Sequence, residues 1–290
     1  MPPTLAAVAI AKDEERDLPG LLANTLAFAD EVVIVVDASS TDATAEIVGE
    51  AARRDPRVRP VLHTFDAATG FAGLRNAGID AASADWLLHM DADMRVPRPL
   101  GIEIRHRIGL PDAPTAFEYG LLNHFLHRPV RDRNSRTWSK PWLARRGQHR
   151  FGRALHENVE FTVEAPTTER LREVMVHLND EAYDERLRKS AQYSRMRAEA
   201  ILDEGRPIRL RELVTRPLAR AVRRYVRDGG WRDGAVGVVH ALHCFDATFR
   251  SYALAWDAQN QIPRARLEDE IAAGWTEPLV APPEPQPVTP

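Results

Sequence analysis

Residues 5–11, LAAVAIA, form an unbroken apolar run, residues 17–29 place apolar side chains at helical spacing, and residues 31–36, EVVIVV, are strongly β-branched. Strand, helix and strand in that order predict the opening of a parallel α/β sheet, whose strands are buried on both faces and therefore lack alternation. The polar stretch 37–42, DASSTD, predicts a turn in which Thr41 or Asp42 caps a helix over 43–53, with a third strand over 58–63. A helix over 73–82 and a fourth strand over 85–90 continue the alternation, so Asp91 and Asp93 fall just past the carboxyl end of a parallel strand. Open α/β sheets place their ligand crevice there.

Beyond about residue 110 the pattern loosens. A long strand over 115–126 and shorter ones over 142–144, 159–163 and 172–177 predict a mixed second half. After 180 the spacing turns helical, with helices over 184–202, 208–226 and 234–258 interrupted by Gly205-Arg206-Pro207 and Asp228-Gly229-Gly230. Residues 277–290 are proline-rich and read as an extended tail, and no internal repeat is visible.

Composition narrows the class without naming it. With 290 residues the chain can bury roughly three quarters of its extended surface. Its 44% apolar and 28% charged residues are ordinary for a globular protein. A net charge of −3 gives no case for nucleic acid as a partner. The lone Cys244 excludes an intrachain disulfide and cysteine-based zinc spacing, which fits a reducing cytoplasm. The start of the chain has no basic leader and reads as a first strand, not a signal peptide. The most apolar segment, 234–256, is broken by His240, His243, Asp246 and Arg250, so membrane contact is expected to be peripheral.

Two carboxylates separated by one residue repel each other unless a cation stands beside them. A magnesium or manganese ion carrying a phosphate is one such partner, because these ions bind few protein carboxylates and complete their shells with water and phosphate oxygen. Asp-x-Asp alone equally suits a solvated turn; the strand end favours the ligand site. Asp37 closes the second strand as Asp91 closes the fourth, so both carboxylates converge on one rim. Arg75, near the start of a helix, offers the opposite charge to a diphosphate, or else a salt bridge.

Four blocks in this order, AIAKDEERDLPGLL, ADEVVIVVDASSTDATAEI, GFAGLRNAGIDAASADWLLHMDAD and RFGRALHENV, resemble the family 2 glycosyltransferases, in particular the branch with the lipopolysaccharide core glucosyltransferases. The resemblance spans roughly residues 4–180. It implies a glycosyltransferase-A fold, a Rossmann-like, mostly parallel central sheet with a mixed acceptor half. It also implies a nucleotide-sugar donor, a divalent metal at Asp-x-Asp and inversion at the anomeric carbon. Carried over residue by residue, it makes Asp91 and Asp93 the metal and ribose-diphosphate carboxylates, Asp37 and Glu14 contacts of the nucleoside, and Arg75 a nucleotide contact. The sequence departs where Asp13 replaces the usual Asn, Ser39 the usual Gly and Met94 a frequent acid. The last change is expected to remove a carboxylate from the rim.

An inverting transfer needs a base for the acceptor hydroxyl. Glu157 is the candidate, flanked by Arg150 and Arg153, with His156 as its orienting neighbour; the alternative is a structural carboxylate satisfying those arginines. His177, at the end of its strand, is either a further metal ligand or a hydrogen-bonded residue. Basic stretches over 128–150 and 206–227 could face anionic lipid or a phosphorylated glycan. Val238, Leu242, Phe245, Phe249, Tyr252 and Trp256 form an apolar stripe expected to pack on the catalytic domain or on a second subunit, with Cys244 beside it as filler.

The expected organisation is a catalytic domain over 1–180 (nucleotide-sugar half 1–100, acceptor half 101–180), a helical region over 181–275 and a tail over 276–290. The expected activity is metal-dependent (Mn²⁺ or Mg²⁺), inverting transfer of a hexose from a UDP-type donor to a glycan or lipid-linked hydroxyl. The expected location is cytoplasmic, at the inner face of the plasma membrane. A nucleotidyltransferase would carry a Gly-rich basic loop after the first strand, where this chain has Lys-Asp-Glu-Glu. A non-catalytic sugar-nucleotide scaffold is the other alternative, and a dehydrogenase is disfavoured because no Gly-x-Gly-x-x-Gly follows a strand.

Overall fold

A computed structural model describes residues 1–130, 139–152, 158–180 and 182–275. The chain divides into two compact units, one of Met1–Arg188 with Ala221–His243 and one of Lys189–Arg220 with Cys244–Pro290. The first unit is α/β, as the hydrophobic pattern predicts.

Its sheet begins with β1 (Leu5–Ala11), β2 (Glu31–Asp37), β3 (Val58–His63) and β4 (Trp86–Asp91), paired parallel in the order β3-β2-β1-β4. Helices α1 (Leu18–Leu26), α2 (Thr44–Arg54) and α3 (Gly70–Ala81) connect them. Every residue of β2 is buried, which is why its sequence shows no period-two alternation. Gly78 lets α3 approach closely: a Cβ there would come within 2.5 Å of Val8 Cγ1 and 3.1 Å of Val35 Cγ2. The register sets Ile10 opposite Asp91 and Ala11 opposite Val36, so Asp37 and Asp91 end on one rim, two strands or roughly 10 Å apart.

Beyond β4 the sheet turns mixed. After β5 (Met94–Arg95) and α4 (Arg98–Ile108) come β6 (Ala116–Phe125), β7 (Arg128–Pro129), β8 (Lys140–Arg145), β9 (His149–Gly152), β10 (Asn158–Phe161) and β11 (Thr168–Asp180). β8 lies antiparallel between β4 and β6, β6 runs parallel to β11, and β5 pairs antiparallel with β11; β9 and β10 form a separate hairpin. The α4 helix and the two-residue strands β5 and β7 have no counterpart in the sequence pattern. Prolines at 97 and 99 hide the start of α4, and a two-residue ladder is too short to show a period.

The helical part consists of α5 (Tyr183–Asp203), α6 (Leu210–Val222), α7 (Gly234–Asn260) and α8 (Arg264–Gly274). In the second unit Ala198, Ile201, Ile208, Tyr252 and Ala255 pack with Leu202 and Leu213 as a small core of its own. The stripe expected to be packed is largely exposed: Val238, Leu242, Phe249 and Trp256 face solvent and only Tyr252 is buried. The buried side of α7 instead carries small or polar side chains such as Ala241, Thr248, Ser251 and Ala255.

Candidate active site at the strand rim

Two loops form one wall of the rim. Asp13 follows β1 with φ of 54°, a left-handed conformation that Asn and Asp tolerate better than most side chains. Its Oδ1 accepts the Thr41 N–H at 2.7 Å and the Thr41 hydroxyl at 3.2 Å. Glu14 donates its N–H to Thr44 Oγ1 and Glu15 donates its own to Asp42 Oδ2. The acid at position 13 thus ties the loop after β1 to the loop after β2. Asp42 Oδ1 also accepts the Thr44 N–H in a turn just before α2, whose N-cap is Ala43 without a side-chain cap, so the cap expected of Thr41 or Asp42 is not formed.

Asp37 is buried at the end of β2. Its Oδ1 accepts the N–H and hydroxyl of Ser39, both at 3.0 Å, so serine at this departure from the family pattern adds a bond that glycine lacks. Its Oδ2 is shielded with no formed hydrogen bond, and Lys12 Nζ stands 3.7 Å away. Burial by itself would raise the carboxyl's pKa; the Ser39 donors, the nearby Phe65 N–H and the Lys12 charge outweigh it and hold the group below its ordinary value. It is held as a carboxylate.

Asp91 is anchored from below. Its Oδ1 accepts Arg75 Nη2 at 2.5 Å, and the guanidinium, only 2% exposed, lies 4.1 Å over the Trp142 ring and 5.4 Å from that of Phe151. The Arg75 charge is therefore aimed at Asp91, whose own side chain is 35% exposed to the rim. Deeper still, His89 and His149 face each other through Nε2 atoms at 2.8 Å, and Tyr119 donates its hydroxyl to the His89 carbonyl. The His149 Nδ1–H donates to the Arg145 carbonyl, so His149 Nε2 must accept from His89. Burial, then the charges of His149 and Arg75, push His89 well below the ordinary imidazole value, and burial lowers His149 as well. The pair is neutral.

Asp93 meets His177. The antiparallel pairing of β5 with β11 sets Met94 opposite His177, which brings His177 Nε2 to 3.1 Å from Asp93 Oδ2. His177 Nδ1 is 2.9 Å from Asn123 Oδ1 on β6 and donates there, so the Asp93 contact is made by Nε2, as a donor when the ring is protonated and as a lone pair when it is neutral. Two acceptors at that distance require a proton or a cation between them. Two ligands about 2.1 Å from an octahedral ion are separated by about 3 Å, so the pair has the edge length such an ion needs. Among the described residues no three His, Cys, Asp or Glu side chains converge on one point, so any ion here would take its remaining ligands from water or substrate oxygen.

Met94 is 1% exposed and belongs to the core, so position 94 does not present its side chain to the rim at all. Arg95, which the sequence pattern did not single out, clamps the acidic turn: its Nη1 donates to the carbonyls of Ala92 and Met94, both at 2.7 Å, and its Nη2 to the Asp17 carbonyl at 2.8 Å. Burial lowers its pKa against the pull of Asp17, Asp93 and Glu14. A basic residue two positions after Asp-x-Asp was the available signal. Glu157, His156 and Arg153 lie outside the described residues, and Arg150 ion-pairs with Asp80.

Residues 7–100 match the family described as Glycosyl transferase family 2. The chain is 25% identical over 244 residues to the lipopolysaccharide core biosynthesis glycosyltransferase LpsC of Rhizobium meliloti (strain 1021), covering 83% of this chain and 88% of that protein. It is 49% identical over 61 residues to the succinoglycan biosynthesis protein ExoO of the same organism, covering 21% of this chain and 16% of that protein. A solved structure of the mannosyltransferase PcManGT from Pyrobaculum calidifontis with GDP-Man and Mn²⁺ aligns with TM-score 0.47 at 17% identity, over 96% of this chain and 81% of that one.

Proposed function

We propose that this chain is a family 2 glycosyltransferase that transfers one hexose, with inversion, from a UDP-linked donor to a hydroxyl of a glycan or lipid-linked acceptor. The observation that carries the reading is the approach of Asp93 Oδ2 to His177 Nε2 at 3.1 Å, on the rim where Asp37 and Asp91 also end.

In this reading Asp93 and His177 hold Mn²⁺ or Mg²⁺, with Asp91 beside them. Bound there, the ion would neutralise charge on the departing diphosphate. Asp37 Oδ2 accepts a hydrogen bond from the nucleoside, which satisfies its shielded acceptor, and Glu14 contacts the nucleoside from the loop after β1. Arg75 supports the diphosphate indirectly, by fixing the Asp91 carboxylate in one orientation before the donor arrives. Glu157 takes the proton from the acceptor hydroxyl as the new bond forms on the face opposite the leaving group.

The LpsC and ExoO names support an envelope or extracellular glycan as acceptor. No helix among the described residues is long and apolar enough to cross a membrane, and the reading places the enzyme peripherally at the inner face of the plasma membrane. Thermal stabilisation by UDP, GDP and their sugars, with and without manganese, tests the donor site. UDP with manganese is expected to raise the melting temperature of the natural chain and to leave Asp93→Ala unmoved. Equal stabilisation without metal, or in the variant, overturns the reading.

A further inference from the structure

The backbone that carries Asp93 is tied down on both sides of that residue. Arg95 Nη1 has two N–H donors and gives them to the Ala92 and Met94 carbonyls, the two peptide oxygens that flank Asp93, each at 2.7 Å. The Asp93 carbonyl itself accepts the Leu178 N–H at 2.9 Å, and Leu178 is the neighbour of His177. The contact of Asp93 Oδ2 with His177 Nε2 at 3.1 Å therefore spans two pieces of backbone that are also joined to each other.

Arg95 is in turn held by α1. Its side chain is only 18% exposed, and its Nη2 donates to the Asp17 carbonyl at 2.8 Å and stands 3.6 Å from Asp17 Oδ1. Gly20 makes the room, since a Cβ there would lie 2.8 Å from Nη2 and 3.2 Å from Nε. About one turn further along, Asn24 exchanges two hydrogen bonds with Val96, accepting its N–H at 2.7 Å and donating to its carbonyl at 2.9 Å. Asp17, Gly20 and Asn24 follow one another at steps of three and four, so one side of the first helix grips the acidic turn. A planar guanidinium can close the turn with one nitrogen and reach the helix with the other. An ammonium is a single point and cannot do both.

We infer that Arg95 is a positioning residue: by locking the peptide groups on either side of Asp93 to α1, it sets the spacing of Asp93 Oδ2 from His177 Nε2 and with it the affinity of that pair for a divalent ion. The inference rests on the ion site proposed above and names the group that preorganises it. Arg95 itself touches neither ion nor donor; it acts through Asp93.

The test is the manganese dependence of thermal stabilisation by UDP or GDP, whichever stabilises the natural chain. In Arg95→Met the manganese concentration at half-maximal stabilisation should rise about 10–100-fold, the usual cost of losing a group that orients a metal ligand. Arg95→Lys should behave like Arg95→Met, because charge without the planar fork cannot hold turn and helix together. Gly20→Ala keeps the arginine and displaces it. Its position is exposed and alanine favours a helix over glycine, so its melting temperature without ligand should not fall, while its manganese requirement should rise in the same direction. This variant decides the matter if Arg95→Met does not fold. If neither nucleotide with manganese stabilises the natural chain, the ion site and this inference both fall. If the natural chain responds and the manganese requirement is unchanged in Arg95→Met and Gly20→Ala, only this inference is wrong. Full rescue by Arg95→Lys would also overturn it, as would a lower melting temperature and maximal transfer rate with half-saturating manganese unmoved, which is the signature of a purely structural arginine.

Discussion

The two halves of the sheet reach the same rim by different routes. The parallel half delivers Asp37 and Asp91 from strands that follow one another within 91 residues, each carboxylate at its own strand's end. The other half delivers His177 and Asn123 from strands 54 residues apart, and His177 reaches Asp93 across 84 residues through the two-residue strand β5. A strand-end carboxylate is a local consequence of the hydrophobic pattern. The histidine pairing is a long-range one, and the proposed ion site exists only where the halves meet.

Asp93→Asn strikes that junction and should have the largest effect. Removing the ionised oxygen that faces His177 is expected to lower the rate of transfer by on the order of a thousandfold while the melting temperature stays nearly unchanged. His177→Gln, read in the same assay, should cost less because the charged Asp93 carboxylate remains. Transfer at full rate in both variants would show that the two halves do not share an ion.

Arg75→Met tests the second link, where the guanidinium connects Asp91 of the parallel half to Trp142 and Phe151 of the other. The side chain is conserved in volume, and Asp91 is exposed enough to remain hydrated, so stability should fall by only about 1–2 kcal/mol, less than for a wholly buried pair. Transfer should fall about 10–100-fold, the usual cost of losing a group that orients a ligand. Donor-rate profiles and denaturant midpoints on one preparation would separate the two effects.

Gly78→Ala stays within the parallel half. The added methyl would meet Val8 and Val35 in strands that cannot move, and overpacking of this kind costs about 1–3 kcal/mol. Urea unfolding should shift accordingly, with the transfer rate of the folded enzyme preserved. A lost rate at full stability would mean that packing beneath β1 and β2 reaches the rim chemistry.

A pH-dependent effect is expected where His89 of β4 meets His149 of β9, since both are buried and neutral. Both have lower pKa values folded than unfolded, so the unfolded chain binds more protons once pH drops below about 6.5. Their contribution is therefore complete above that value and is lost as pH falls toward the folded pKa values, at about 1.4 kcal/mol per pH unit for each proton. Denaturant midpoints at pH 7.5 and 5.5 should differ, and His89→Leu should flatten the dependence. An unchanged slope in that variant would assign the acid sensitivity to other groups.

The sequence by itself determined the alternation of strands and helices through residue 91 and the placement of two carboxylates at strand ends. These follow from burial on both faces of short, continuous segments, and a pattern of that kind is written locally. It also marked His177, on type and position alone. It could not show that Arg75 faces inward, that Met94 belongs to the core, or that Arg95 clamps the acidic turn. Which way those side chains face depends on pairing between distant strands and on how closely small residues let helices approach, and neither leaves a period in the chain. The tertiary structure alone decided them, because direction and distance between remote segments are properties of packing and not of any single stretch of sequence.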